Sequence, residues 1–241
     1  MVPDVPIGAT LLVGLLLGLR HALEADHLAA VATLVEGRGP LRRAALTGLV
    51  WGAGHAMTLA LVGGALVALR VRVPERVAFY CEFGVALMLV GLGARALASG
   101  LRSRLHLHEH EHDGVAHAHL HLHAAGHDAG SLRAPHHHPH PLSGGLRPFL
   151  VGCLHGLAGT GALVLLVLTT LPTVLLGWLY LGIFGLGSIA GMLLMSLILG
   201  APLALARRRA ASLYVLLRLA AGGGSVALGI LLCFRIGARI F

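Results

Sequence analysis

Long apolar runs separated by short charged or polar stretches set the pattern of this chain. The runs lie at approximately 7–34, 45–69, 77–99, 147–171, 173–205 and 211–234. Each reaches the roughly 20 residues that a helix needs to cross the hydrocarbon core of a bilayer. The pattern predicts an all-α polytopic membrane protein with about six transmembrane helices. The fifth run is too long for one straight span, so we expect it to tilt, break or end in an interfacial turn.

The two halves of the chain resemble each other. The aligned pairs are Gly18–Leu23 with Gly152–Leu157, Trp51–His55 with Phe184–Ser188, and Val85–Leu87 with Val226–Leu228, at offsets of 134, 133 and 141 residues. A three-helix unit repeated once must enter the membrane from opposite sides. We therefore predict two inverted three-helix repeats, 1–100 and 147–241, with the substrate site near the midplane at their interface. A shared bias toward glycine, leucine and alanine is the alternative explanation.

Composition and charge agree with a membrane protein. Hydrophobic residues make up 56% of the chain and charged residues 12%, against about 25% charged in a soluble domain. The net charge of +8 comes from arginine without lysine, mostly at the ends of apolar runs. Orientation signals and headgroup contacts belong at such positions. No basic face with aromatic or polar readers accompanies them, so we exclude nucleic acid as a partner.

The arginines are distributed unevenly between the loops. Loops one, three and five hold Arg38, Arg42, Arg43, Arg102, Arg104, Arg133, Arg147, Arg207, Arg208 and Arg209, whereas the other side holds Arg70, Arg72, Arg76, Arg235 and Arg239. The positive-inside rule places the first group in the cytoplasm and the N-terminus outside. We expect a multi-pass protein of the inner, or plasma, membrane.

Residues 101–146 form a loop rich in histidine between the two halves. Thirteen of the 17 histidines lie there, namely His106, His108, His110, His112, His117, His119, His121, His123, His127, His136, His137, His138 and His140. The segment has few apolar residues to bury, so we expect it to be disordered without metal. Imidazole is a common ligand of zinc, nickel and copper. We predict metal collection, buffering or sensing, with a hydrophilic spacer as the alternative.

Polar side chains inside the apolar runs are the candidates for function, because such groups are costly in a membrane unless paired or hydrated. The first run carries His21, Glu24, Asp26 and His27. Imidazole nitrogens and carboxylate oxygens together suit nickel, cobalt or zinc better than calcium. We therefore predict a metal site on the first helix.

The spacing of these residues constrains the helix that carries them. His21 and His27 are six residues apart, which on a straight helix is about 120° of rotation and roughly 9 Å of rise. One ion cannot reach both, so the helix must break here or fold back. Alternatively, Asp26 acts with His27 while His21 pairs with another helix. Glu24 could also be a structural partner of Arg20.

Three more intramembrane residues are candidate ligands: His55, His155 and Glu82. Glycines before His55 allow close helix approach, which would bring its imidazole toward the first helix. Either lone histidine could instead make only a hydrogen bond between helices. Glu82 is a ligand, a proton carrier or a partner of Arg95, and the sequence does not separate these roles.

Two motifs in the first half carry a family resemblance. The stretch Arg20–His27, RHALEADH, is similar to the RHA-x-DADH signature (HX4DH) of the nickel/cobalt permease family, NiCoT, with Glu24 in place of its first Asp. Gly54–Thr58 resembles the GHS/T motif of the next helix. The resemblance covers most of the membrane portion but not the histidine-rich loop.

The second half matches the family more loosely. Leu154–Thr160 stands where typical members have an acidic LG-x-D/E-T stretch, and Gly191–Ser196 resembles GM-x-x-x-D with Ser196 in place of Asp. These departures, and six spans where longer members have eight, resemble the urease-accessory (UreH-type) branch.

The resemblance implies a permease whose substrate is Ni²⁺ or Co²⁺, without an organic cofactor. It implies that His21, Asp26 and His27 set selectivity and that His55 supports them. It favours uptake for delivery to nickel enzymes, with the lipid bilayer and a cytoplasmic metallochaperone as partners. Efflux is the alternative direction.

Other functional classes fit less well. An intramembrane metalloprotease needs HExxH, with histidines four residues apart, whereas the spacing here is H-x-x-E-x-D-H. No GxxxxGK[ST] motif is present, so the chain itself is not expected to hydrolyse ATP. We expect no enzymatic activity, and a zinc carrier is the other transport interpretation.

Overall fold

A computed structural model describes the backbone of residues 7–35, 40–102, 105–112, 115–122 and 141–240. Each predicted run corresponds to one helix or to consecutive helical segments, and the first run is interrupted between His21 and Ala25. The helices are α1 (Ile7–His21), α2 (Ala25–Val35), α3 (Leu41–Thr58), α4 (Gly64–Leu69), α5 (Glu75–Arg102), α6 (Pro141–Thr170), α7 (Val174–Arg209) and α8 (Ala211–Ile240), with a π-helical segment, Leu59–Gly63, between α3 and α4.

The protein is a helical membrane protein. Within the part of the chain that the structure describes, four segments are long and apolar enough to cross a bilayer: Leu41–Leu69, Glu75–Leu101, Val174–Arg207 and Ser212–Arg239. The bent pair α1 and α2 makes a fifth if it is counted as one span. Helix α6 occupies the position of the remaining run, but part of its side chains lies outside the described residues. Six spans therefore stay a prediction.

The fifth apolar run, 173–205, does not show the break that was one of its three expected outcomes. It forms one helix from Val174 to Arg209, which continues through Pro202. At its start the hydroxyl of Thr173 accepts a hydrogen bond from the backbone N–H of Leu176, at 3.3 Å, as an N-cap does. The expected break is therefore absent along this helix.

Glycines let the central helices approach each other closely. Helix α3 packs on α6 and α7, α1 packs on α7, and α5 packs on α8. A Cβ added at Gly18 would overlap the Phe184 carbonyl oxygen, and one added at Gly152 would overlap the Trp51 carbonyl oxygen. Such backbone contacts are typical of small residues between membrane helices. They bring side chains of α1, α3 and α6 within reach of one another.

The largest buried cluster spans both halves of the chain. Val31 and Leu34 of α2 pack there with Trp51, Leu89 and Met192. Helix α2 therefore packs against the other helices, and at its start His27 is buried and Asp26 is partly buried.

The histidine-rich loop contains two antiparallel strands, β1 (Leu105–His112) and β2 (Val115–Leu122). Their register pairs His106 with His121, His108 with His119 and His110 with His117. Most of the rest of the loop lies outside the described residues, and its disorder without metal stays a prediction. Histidine alternates with other residues in both stretches, and a period of two is the pattern of a strand. The candidate ligands of the loop lie outside the side chains that the structure describes.

Candidate metal centre

The first span is broken at its polar cluster. Helix α1 ends at His21, helix α2 begins at Ala25, and the two are bent by 57°. Between them the Glu24 N–H donates to the His21 carbonyl oxygen at 3.1 Å. The break that the six-residue spacing predicted is therefore present. It brings the rings of His21 and His27 to 4.4 Å between centroids.

A first set of donors, which we call the upper set, consists of His21, His27 and His55. One donor atom from each lies within 4.8 Å of the other two. The ring of His55 lies 5.1 Å from that of His21 and 5.4 Å from that of His27. His55 comes from α3, so this set joins the broken span to the next helix. His55 lies beside the first span, as predicted, but the glycines before it have a different role: Gly52 approaches Ile189 of α7 and Gly54 approaches Phe149 of α6.

A second set, the lower set, consists of Asp26, His27 and His155, again with donor atoms within 4.8 Å of one another. Asp26 Oδ1 lies 3.0 Å from His27 Nδ1, and Asp26 Oδ2 lies 3.3 Å from His155 Nε2. The second contact has the distance of an ion pair but lacks hydrogen-bond geometry. The His155 ring stacks on that of His27 at 4.4 Å. Because His155 is on α6, the second half of the chain also contributes to the centre.

Several nitrogens of this centre are buried without a hydrogen-bond partner among the described residues. They are Nε2 of His27 and both ring nitrogens of His55 and His155. Leaving a buried polar group unpaired costs about 1–3 kcal/mol, and buried imidazoles are usually hydrogen-bonded. A divalent metal ion bound by these nitrogens would satisfy them. All four histidines of the chain outside residues 101–146 belong to the two sets.

A cavity of about 540 Å³ lies beside the two sets. Its lining includes Arg20, Glu24, Asp26 and Glu82. Glu24 Oε1 lies 3.0 Å from His21 Nδ1. The partner of Glu24 in the structure is therefore His21 and not Arg20. Glu24 thus contacts a candidate ligand from the cavity side, and its own role as a ligand stays a prediction.

Glu82 faces the same cavity but belongs to neither donor set. The suggestion that it pairs with Arg95 is wrong for geometric reasons. Both residues lie on α5, and thirteen residues of helix separate them by about 20 Å. A role for Glu82 as a ligand or as a proton carrier stays a prediction.

Two aromatic residues border the centre, and the sequence marked them only as repeat positions. The Trp51 ring lies 5.5 Å from that of His27 and 5.8 Å from that of His155. The Phe184 ring lies 5.5 Å from that of His21. Trp51 precedes His55 by one helical turn, a spacing that places both on one face of α3. That spacing could have indicated its position.

Comparison with known proteins gives one informative relative. No protein-family model and no solved structure matches the chain. The urease accessory protein UreH of Bacillus sp. (strain TB-90) is 31% identical over 211 residues, which are 86% of this chain and 82% of that protein. The chain belongs to the UreH-type branch of the nickel/cobalt transporter family. The resemblance drawn from the motif at Arg20–His27 is thereby confirmed.

The packing around Ser196 agrees with one departure of this UreH-type chain from the wider family. Ser196 stands where the motif of typical members has Asp, and its side chain is fully buried. A Cβ added at Gly48 of α3 would overlap the Ser196 hydroxyl. The contact leaves room only for a small side chain at position 196. The candidate ligand from the second half is His155, on another helix.

Proposed function

We propose that this UreH-type protein is a permease for Ni²⁺ or Co²⁺ whose ligands are His21, Asp26, His27, His55 and His155. The observation that carries the proposal is the convergence of two donor sets, rich in unpartnered imidazole nitrogens, at a break in the first span. Nitrogen-rich sets with a carboxylate suit late first-row divalent ions better than calcium or magnesium. Broken spans that line a cavity are a recurring feature of transporters.

The charge of the cavity also suits a divalent cation. Its lining carries three carboxylates, Glu24, Asp26 and Glu82, and one guanidinium, Arg20. Their formal charges leave an excess of two negative charges, which one divalent ion neutralises. Unbalanced charge is costly inside a membrane protein, so this balance favours M²⁺ over a monovalent ion.

We also propose that the two halves form an inverted repeat. In the alignment, Gly18 corresponds to Gly152 and Phe184 corresponds to Trp51. Gly18 abuts the Phe184 backbone, and Gly152 abuts the Trp51 backbone. Each contact is thus the other with the two halves exchanged, which is the expectation for a pseudo-two-fold axis between them.

The third helices of the halves support the same arrangement with a different offset. Gly93 on α5 abuts Gly222 and Val226 on α8, and Gly229 on α8 abuts Ala86 and Val90 on α5. Adding 136 to the α5 position and subtracting 136 from the α8 positions converts the first set of contacts into the second. That value lies closer to the offsets of the other helix pairs than the 141 of the sequence alignment does.

Flux into proteoliposomes tests the proposed function. Purified protein would be reconstituted, and Ni²⁺, Co²⁺, Zn²⁺ and Mn²⁺ uptake compared under defined pH gradients. We expect saturable flux of nickel or cobalt that exceeds flux of manganese. Flux confined to zinc would establish the zinc carrier instead, and no flux above that of protein-free liposomes would refute the proposal.

Topology gives a separate prediction: N-terminus outside and residues 101–146 in the cytoplasm. The three cysteines, which are all free, would be replaced by alanine, and one cysteine placed at Gly114 or at Arg72. In intact cells an impermeant thiol reagent should label the cysteine at Arg72 and not the one at Gly114. The reverse pattern would contradict the orientation.

Deleting residues 106–140 should leave the helical core folded, because that segment has few apolar residues to bury. We expect flux in proteoliposomes to slow or to lose regulation but not to stop. A variant in which a Gly/Ser linker of equal length replaces residues 106–140 controls for the shortened connection between the two halves. Loss of all flux in a correctly inserted deletion variant would show that the loop is part of the pathway.

For direction we propose uptake, because the relative in Bacillus sp. (strain TB-90) is named a urease accessory protein. A cytoplasmic histidine-rich loop and a metallochaperone would then receive the ion. Cells expressing the chain should accumulate more radioactive nickel at trace concentration than cells carrying an empty vector. Cells expressing His27→Ala should match the vector. Accumulation below that of the vector would indicate efflux.

A further inference from the structure

The upper and lower sets are too far apart to bind one ion together. Among the described residues, the donor atoms of His27, His55 and His155 do not form a group that lies within 4.8 Å. Two nitrogens bound to one ion at about 2.1 Å can be no more than about 4.2 Å apart. In this conformation one ion therefore binds one set or the other.

The two sets nevertheless share His27. Its Nδ1 lies 3.0 Å from Asp26 Oδ1, the neighbouring donor of the lower set, and its Nε2 has no hydrogen-bond partner among the described residues. A neutral imidazole has one acceptor nitrogen with a single lone pair. Simultaneous occupancy of both sets through His27 is therefore disfavoured, and the sets are alternative positions for a single ion.

The positions of the other ligands suggest how the two sets are related. His21 and His155 occupy matching positions of the two halves, at an offset of 134 residues. Each ring lies 4.4 Å from the ring of His27. His21 belongs to the upper set and His155 to the lower set. Equivalent histidines from the two halves thus flank one histidine that lies between them.

We propose that the transported ion is passed between the upper and lower sets, with His27 as the ligand common to both. During the step, His21 and His55 are exchanged for Asp26 and His155 while the bond to His27 persists. The ion is then never stripped of all protein ligands inside the membrane. This inference rests on the proposed permease function and assigns His55 and His155 to opposite ends of the step.

Trp51 offers a readout that is specific to this centre. Its ring lies within 6 Å of the rings of His27 and His155. In a Trp178→Phe background Trp51 is the remaining tryptophan, since the chain has two. Quenching of its emission by Co²⁺ then reports an ion in either set, in the full-length protein in detergent.

Four variants in that background test the handover: His55→Ala, His155→Ala, the double variant and Leu154→Ala. Leu154 neighbours His155 on α6 but does not line the cavity, so its variant controls for the substitution. Each single histidine variant should still show saturable Co²⁺ quenching, with affinity within about tenfold of the parent, because one set remains. The double variant should lose quenching. Both single variants should lose at least about tenfold in proteoliposome flux, in keeping with the 10–100-fold effects of perturbing a metal site.

Other outcomes would overturn the handover. If either single variant loses quenching as completely as the double variant, the ion has one site and not two. If either single variant, eluting as a monodisperse species, keeps parental flux, its set is not part of the path. A parent protein that shows quenching but no flux would refute the permease function and leave the two-set comparison standing. A parent without quenching would refute the centre itself.

Discussion

Replacing His27 with alanine is expected to abolish metal transport while leaving the protein folded. His27 belongs to both donor sets, and its Nε2 is buried without a hydrogen-bond partner among the described residues. No other residue in the two sets is shared between them. Removing a group that only hydrogen-bonds to a metal ligand already lowers metal affinity or activity by about 10–100-fold. Loss of the common ligand should lower nickel flux into proteoliposomes by at least about 100-fold.

The same measurement separates the neighbouring ligands. Asp26→Ala should also abolish flux, because Asp26 is a donor that lies within 3.3 Å of both His27 and His155. His21→Ala should do nearly the same. Thr33→Ala on the same helix is a suitable control, since the Thr33 hydroxyl donates only within its helix, to Ala30 O at 2.8 Å. Parental flux in a correctly inserted His27→Ala protein would remove this centre from the transport path.

The sequence predicted the helical segments well, because each follows from a local apolar pattern. The run proposed at 45–69 corresponds to Leu41–Leu69, and the run at 211–234 corresponds to Ala211–Ile240. The break in the first span was also predictable. Two candidate ligands six residues apart cannot meet on a straight helix, so a shared site requires the bend found between His21 and Ala25.

What the sequence left open depends on contacts between distant segments. His155 was a lone histidine in a loosely matching motif, and only the packing of α6 on α3 at Gly152 brings it to Asp26. Local pattern carries no information on that partner. The sequence also did not reveal that α7 continues through Pro202. Neighbouring helices can compensate for the missing N–H of a proline in a membrane helix, and local pattern does not show those neighbours.

Gly18 and Gly152, which occupy matching positions in the two halves, each hold two helices in close contact. Gly152→Ala should lower both thermal stability and metal flux, because the added Cβ would overlap the Trp51 carbonyl oxygen. Alanine favours an isolated helix by about 1 kcal/mol over glycine, so any loss must arise between helices. Overpacking of this kind typically costs about 1–3 kcal/mol. A displacement of about 1 Å at a reactive site can reduce a rate about 100-fold.

Glycines on the same two helices that do not contact another helix serve as controls for these substitutions. A Cβ at Gly145 of α6 or at Gly8 of α1 would meet nothing within 4 Å. Gly145→Ala and Gly8→Ala should therefore keep the parental melting temperature, measured in detergent by loss of the monodisperse peak on heating. Gly152→Ala and Gly18→Ala should melt at lower temperature. Because Gly152 holds α6 against the α3 segment that carries Trp51 and His55, Gly152→Ala should also weaken Co²⁺ quenching of Trp51. Equal melting temperatures and equal quenching in the Gly152→Ala and Gly145→Ala proteins would show that this close approach does not hold the metal centre together.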